Sequence, residues 1–461
     1  MRVVERGRWR RELGPILALA GPVVLAEVGW MGMGIVDTMI VGRLGAEAIG
    51  AVAIGGVLFF AVTVFGMGML LGLDTLVSQA FGAGRGEDCR RALWQGVYLA
   101  LALTPPLTAV VFASRPILHA FGVQPAVVRL AVPYIEATAW SLGPLLIYAA
   151  FRRYLQAVNR TRPIVFALLS ANLINALANW ILIFGYGGLP ALGVPGSGWA
   201  TTLARIYMAG VLVVAVLRED VQQLPKRSWT IPRPDPAILR RLVVLGLPAA
   251  GHLSLEVGVF ATATALAGRF DPASLAAHQI ALQMASLTFM IPLGLSSAAA
   301  VQVGQALGRR HPDRAARAGD SAIMLGAIFM TASGVVFLLI PRTILGAFTP
   351  DSAVVDRGVM LLRIAAGFQL FDGLQGVITG ALRGLGDTHT AMYTNFVAHW
   401  LMGLPLGYVL AFYAGVGIIG LWIGLSLGLV VAGIRLIFAW RARSASIRLD
   451  PDPTAFETAH L

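Results

Sequence analysis

The sequence predicts an all-α integral membrane protein: twelve transmembrane helices in two six-helix lobes related by a pseudo-two-fold axis along the membrane normal. Composition is the first reason. Charged residues fill 13% of 461 positions, the apolar set reaches 57%, and mean hydropathy is +0.76, whereas a soluble globular domain carries roughly twice that charge. Run length is the second, because the apolar residues gather in stretches able to span a hydrocarbon core of about 30 Å at about 1.5 Å per helical residue. Repetition is the third. Pro22 and Pro248 lie 226 apart, as do the tetrads Gln79-Ala80-Phe81-Gly82 and Gln305-Ala306-Leu307-Gly308, with Glu87/Asp313, Arg91/Arg317 and Ala92/Ala318 following in register. Leu155-Gln156-Ala157 with Thr161 matches Leu382-Arg383-Gly384 with Thr388 at 227. Units with an even number of spans run in the same direction, which gives parallel repeats with a cavity expected between them.

The spans are read from apolar runs and the polar or Gly/Pro punctuation that bounds them. The first, 13–42, starts after Arg10-Arg11 and is too long, with no small-residue cleavage site after it, for a signal-peptide core, so it reads as a start-transfer span. The second, 46–80, ends before Arg85, and the third, 92–113, lies between Arg91 and Arg115. The fourth, 127–151, stops at Arg152-Arg153, and the fifth, 161–186, at Gly187-Gly188. The sixth, 196–217, ends at Arg218. Arg218 to Arg241, rich in Pro and charge, reads as a cytoplasmic linker, 218–241, between an N-terminal lobe, 1–217, and a C-terminal lobe, 242–446, with a tail at 447–461. The seventh span, 242–268, is fenced by Arg240-Arg241 and Arg269. The eighth, 274–307, runs from Pro272 to Arg309-Arg310, and the ninth, 318–340, from Arg317 to Pro341. The tenth, 354–382, the eleventh, 388–413, and the twelfth, 416–440, close the lobe.

Most of the 35 basic residues fall on the side of the two termini, leaving Arg43, Arg115, Arg129, Arg269, Arg342, Arg357 and Arg363 opposite and Arg205 within a span. That bias predicts cytoplasmic N- and C-termini. It also accounts for the net charge of +12 by topology, with no nucleic-acid partner implied. The lone Cys89 forms no intramolecular disulfide and reads as inert.

Inside the spans a few polar side chains stand out. The seventh holds one carboxylate, Glu256, near its middle. An ionisable group at that depth costs at least a few kcal/mol and belongs to an ion or proton path, or else is kept neutral as packing polarity. Asp37 stands in VDTMIVG of the first span, Asn175 and Asn179 in NLINALANW of the fifth, and Asp372 in FQLFDGLQG of the tenth. Asn172, Asn175 and Asn179 share one helical face at i, i+3, i+7. Amides there suit holding a carboxylate, completing a cation's oxygen shell, or bonding helices together. Glu256 is 15 residues from Arg241 and Asp372 is 11 from Arg383, so their depths differ by about 6 Å and one cavity can hold both. Two such acids cannot both stay ionised and unpaired, which suits a proton or small cation in one state and a cationic substrate in another. Glu27 lies in the first span as an aid to Asp37, Asp74 and Glu136 read as interfacial, and His252, His278 and His399 as hydrogen-bonded packing residues.

Enzyme readings fail. A Walker A loop needs a Gly-Lys step, and the single lysine, Lys226, follows Pro225. The sequence has no HExxH, no Cys/His metal pattern and no aspartate-rich diphosphate site. Gly-rich runs such as GMGMLLG suit close helix packing.

VDTMIVG, the Asn175/Asn179/Trp180 motif followed by ILIFG, the AHQIALQMASLTFMIPLG block from Ala277 with Gln279 and Gln283, VGQALGRR, Glu256 and FDGLQGVITGALRGLGDT together resemble the multidrug and toxic compound extrusion (MATE) family, in its NorM-type bacterial branch. The similarity covers nearly the whole chain, and departs at Glu27 and Asp74. It implies a cation-coupled antiporter of the cytoplasmic membrane that expels organic cations and amphipathic drugs by alternating access through a V-shaped cleft. Its partners are then small cationic or amphipathic molecules and membrane lipids, it works as a monomer, and it needs no cofactor beyond a coupling cation, Na+ or H+. By the same resemblance Glu256 and Asp372 bind the coupling cation or substrate, and Asp37, Asn175 and Asn179 form a second cation site. Pro22 is implicated in bending the first helix, and Asn172, Glu27, Gln279 and Gln283 are further candidates. The alternative is a flippase-like exporter of a lipid-linked or metabolite substrate, which would want a cationic cleft.

Overall fold

The computed structural model describes residues 2–120, 124–218 and 231–449. Residues 219–230 of the predicted linker and 450–461 of the predicted tail lie outside the described residues. The described secondary structure is helical throughout. In chain order the long helices are α1 (Arg2–Val41), α2 (Glu47–Gly82), α3 (Gly86–Phe112), α4, α5 (Arg162–Phe184), α6 (Val194–Arg218), α7 (Pro236–Ala267), α8 (Pro272–Gly308), α9 (Pro312–Leu339), α10 (Ser352–Leu385), α11 (His389–Tyr413) and α12 (Ile418–Leu449). Ten of them are long and apolar enough to cross a bilayer. α4 is a pair, Pro125–Ala139 and Leu142–Ala157, bent by 48° and counted as one further span. α10 completes the predicted twelve. Its 34 residues exceed the length needed, but Gln369, Asp372, Gln375 and Arg383 dilute its apolar character, and all four are buried. The least apolar span is thus one whose polar groups point into protein, away from lipid.

Two helices depart from regular winding. α2 breaks at Leu70-Leu71, between Gly68 and Gly72. α11 opens into π-helical turns over Phe396–Gly403 and Val409–Tyr413. Pro405 lies between them, where it lacks the N–H that would bond the Leu401 carbonyl and its ring crowds that turn.

Packing divides the chain into two compact units, Leu25–Ala250 and Met1–Val24 with Gly251–Leu461. The division falls inside α1 and inside α7, at positions 226 apart, and not in the linker. Glycines explain why each helix takes its neighbour there. In the Leu25–Ala250 unit a Cβ added to Gly68 would lie 2.5 Å from Ala250 Cα, so only glycine admits α7 against α2. In the other unit Gly294 of α8 meets Val24 and the Ala20 carbonyl oxygen of α1. Gly68 and Gly294, like Val24 and Ala250, are 226 apart, so the repeat seen in the sequence governs internal packing as well.

In the Leu25–Ala250 unit α5 packs on α6, and α4 on α2, α3 and α6. In the other unit α10 is central and packs on α8, α9 and α12. Gly380 and Gly384 allow this, a Cβ on Gly384 lying 2.6 Å from the Ala300 carbonyl oxygen. Two sequence expectations change. Arg152 and Arg153 belong to the second segment of α4, not to a loop, and Arg205 is joined inside a span by Arg435, which sits within α12 six residues before Arg441.

Candidate functional site

Each unit holds a cluster of polar side chains around acids predicted from the sequence. In the Leu25–Ala250 unit it is built on α1, α5 and α6. Asp37 is 6% exposed, and its Oδ1 accepts from Asn179 Nδ2 at 2.6 Å while Oδ2 accepts from Thr201 Oγ1 at 3.3 Å. Asn179 Nδ2 also donates to the Asn175 carbonyl oxygen one turn back, at 3.0 Å. Asn175 faces the same carboxylate. Both asparagines are fully buried, yet Asn175 Oδ1 and Asn179 Oδ1 have no hydrogen-bond partner. Buried polar atoms are paired in the great majority of cases, so such oxygens beside a carboxylate are available to a further donor or a cation. Two carboxylate oxygens, a hydroxyl and two amide oxygens form the kind of hard donor set a small cation takes. Arg205 stands one helical turn beyond Thr201. Its Nη1 donates to Ser141 Oγ at 2.6 Å, and its guanidinium lies 4.6 Å from the Phe59 ring and 5.8 Å from that of Trp30.

The neighbouring candidates separate from this cluster. Asn172 donates to the Gly29 carbonyl at 3.1 Å and to Leu168 at 3.0 Å, joining α5 to α1. Glu27 is ten residues from Asp37, about 15 Å along the helix, and is paired with Arg152 of α4. Asp74, expected at an interface, is buried, with Arg153 Nη1 3.6 Å away.

The second cluster is built on α7, α10 and α11. Glu256 Oε1 accepts from Gln375 Nε2 at 3.3 Å, Gln375 Oε1 meets His399 Nε2 at 3.3 Å, and His252 Nε2 lies 3.8 Å from Glu256 Oε2. Asp372 is 7% exposed and stands three residues before Gln375, the α10 residue that donates to Glu256. Trp400 Nε1 donates to the Leu255 carbonyl at 3.0 Å and steadies the turn before Glu256. Gln369 donates to Thr288 Oγ1 at 2.7 Å and ties α10 to α8. Gln279 and Gln283 are exposed on α8 and not hydrogen-bonded to either acid. His278 is a packing residue: its Nδ1 accepts from Trp422 Nε1 at 3.0 Å, which fixes the tautomer that donates from Nε2 to Thr264, also at 3.0 Å.

Thr201, Gln375 and His399 were missed from sequence as site residues. The spacing of Gln369, Asp372 and Gln375, each three apart on one helix face, was a usable signal. Thr201 offered none, since a threonine in an apolar span is ordinary.

A helical membrane protein built of two parallel repeats, with acids held inside each unit, has an architecture found among transporters. Known proteins agree. The MatE family model matches twice, over residues 22–181 and 248–409, two segments whose starts are 226 apart. A probable multidrug resistance protein NorM of Mesorhizobium japonicum is 39% identical over 97% of this chain and 97% of its own. That of Pseudomonas aeruginosa is 35% identical over 98% of this chain and 93% of its own. The eukaryotic MATE transporter AtDTX14 superposes with a TM-score of 0.86 at 24% identity, over 96% of this chain and 99% of that one. A MATE in the bent conformation does so with a TM-score of 0.87 at 18% identity, over 95% and 97%. The chain belongs to the MatE family, a family of multi-pass membrane transporters.

Proposed function

We propose that this protein is a multidrug efflux transporter of the cytoplasmic membrane, with both termini inside, exporting organic cations and amphipathic drugs in antiport with Na+ or H+ by alternating access. The observation that carries this reading is the cluster in which Gln375, one helical turn from the buried Asp372, donates to Glu256, with His252 and His399 beside them. Such acids demand a positive partner, and coupling ion and cationic cargo are alternative occupants of one negative site. The Asp37 cluster, with uncommitted amide oxygens on Asn175 and Asn179, supports a second ion position in the other unit. Arg205 stands close to that position but is engaged by Ser141 and two aromatic faces, which disfavours the flippase-like alternative with its anionic cargo. The relatives named as multidrug resistance proteins support the drug class.

The test is dye efflux from everted vesicles under imposed Na+ or pH gradients. Glu256→Gln and Asp372→Asn each abolish gradient-driven efflux while leaving the folded protein in the membrane at normal levels. Efflux at the unmodified rate in both variants removes these acids from the coupling.

A further inference from the structure

Along α12, Val431, Ile434, Arg435, Phe438 and Ala442 recur at helical spacing, and with Thr390 of α11 they line a groove of about 670 Å³. Its walls suit the bilayer. Ile434 is 42% and Phe438 65% exposed, and apolar side chains so exposed within a long apolar helix suit contact with acyl chains. Arg435 does not suit it. The residue is exposed, six positions inside Arg441 and thus about 9 Å along the helix from the basic end of the span. Its Nε donates to Thr394 Oγ1 at 3.0 Å, and among the described residues no carboxylate pairs with it. Two basic residues further along α12 differ: Arg443 is held by Asp387 at 2.8 Å and Arg448 meets Asp313 at 3.4 Å. Asp387, which also accepts from Thr390 Oγ1 at 2.8 Å, is therefore committed to Arg443.

A guanidinium on a lipid-facing surface below the headgroup level is costly unless its long stem carries it to an anion at the interface. In a membrane the surface that covers this groove is lipid, and the one charge in the groove selects which lipid. We propose that the α11–α12 groove is a binding site for an anionic phospholipid, with an acyl chain along Val431, Ile434, Phe438 and Ala442 and the headgroup phosphate on Arg435. Basic pockets between transmembrane helices near the membrane surface bind acidic headgroups by this chemistry. The groove lies in one unit and is lined by neither Glu256 nor Asp372, and the inference stands whether or not the efflux reading does.

Native mass spectrometry of the detergent-released full chain with added phosphatidylglycerol or phosphatidylcholine tests it. The wild-type protein retains phosphatidylglycerol over phosphatidylcholine by roughly fivefold, the discrimination one arginine near an acidic lipid supplies. Arg435→Gln loses that preference, Arg435→Lys keeps most of it, and Ala442→Trp, which fills the groove and leaves the charge, loses retention of phosphatidylglycerol. A photoreactive phosphatidylglycerol crosslinks within residues 431–442 of the wild-type chain, a readout that needs no variant to fold. Equal retention of both lipids by the wild type, an unchanged preference in Arg435→Gln, or crosslinks confined to other helices overturns the proposal.

Discussion

Some charged side chains in this protein are held in pairs. Glu27 and Arg152 are each at most 16% exposed as side chains, and removing one strands the other. Arg152→Met should therefore lower stability by about 3 kcal/mol, whereas Arg152→Met combined with Glu27→Leu recovers most of the loss; thermal unfolding in detergent reads both. Asp271, outside the spans between α7 and α8, behaves differently because it is exposed. The Arg357 guanidinium beside it, helped by hydrogen bonds from Ser274, holds its carboxyl down at about 2. A folded value below the ordinary 3.9 or so means that this tie is fully present above about pH 4 and is lost as pH falls toward 2. Carboxyl NMR of selectively labelled protein should show Asp271 titrating near the low value, and near the ordinary one in Arg357→Gln. If the two proteins titrate alike, Arg357 is not the cause.

Helices here are placed by what glycine leaves out. α10 reaches the middle of its unit because Gly380 and Gly384 let the main chain of α8 come close. Gly384→Ala forces a methyl toward the Ala300 carbonyl oxygen and should destabilise by about 1–3 kcal/mol, as overpacking does. Gly367, with no atom near a built Cβ, is the control, and its alanine variant should match the wild type in a thermal-shift assay. The sequence supports twelve spans because run length and punctuation are local properties. It places Glu256 and Asp372 at similar depth because depth is countable from the flanking arginines, and it sets Asn175 and Asn179 on one helical face, whereas their grouping with Asp37 comes from the family resemblance. Glu27 with Arg152 was not legible, since partners 125 residues apart on different helices leave no spacing to read. Nor was the exposure of Arg435, which depends on where α11 runs beside α12.

Over the whole molecule, the Asp37 and Glu256 clusters lie in separate units and allow two ion positions with different chemistry. Asp37 is surrounded by amide and hydroxyl oxygens, Glu256 by Gln375 and two histidines. If the oxygen cage is a Na+ position, Asn175→Leu should raise the Na+ concentration needed for half-maximal efflux at least tenfold and leave the response to a pH gradient unchanged. Equal effects on both gradients would show that the cage only shapes the helix.

The border between the units cuts through α1 and α7 rather than the linker, and this has a consequence for how the polypeptide matures. Severing it between the two repeats would give fragments that each lack a starting piece of one bundle and carry the other's. Neither fragment could finish alone, and synthesis of the second repeat is what completes the first.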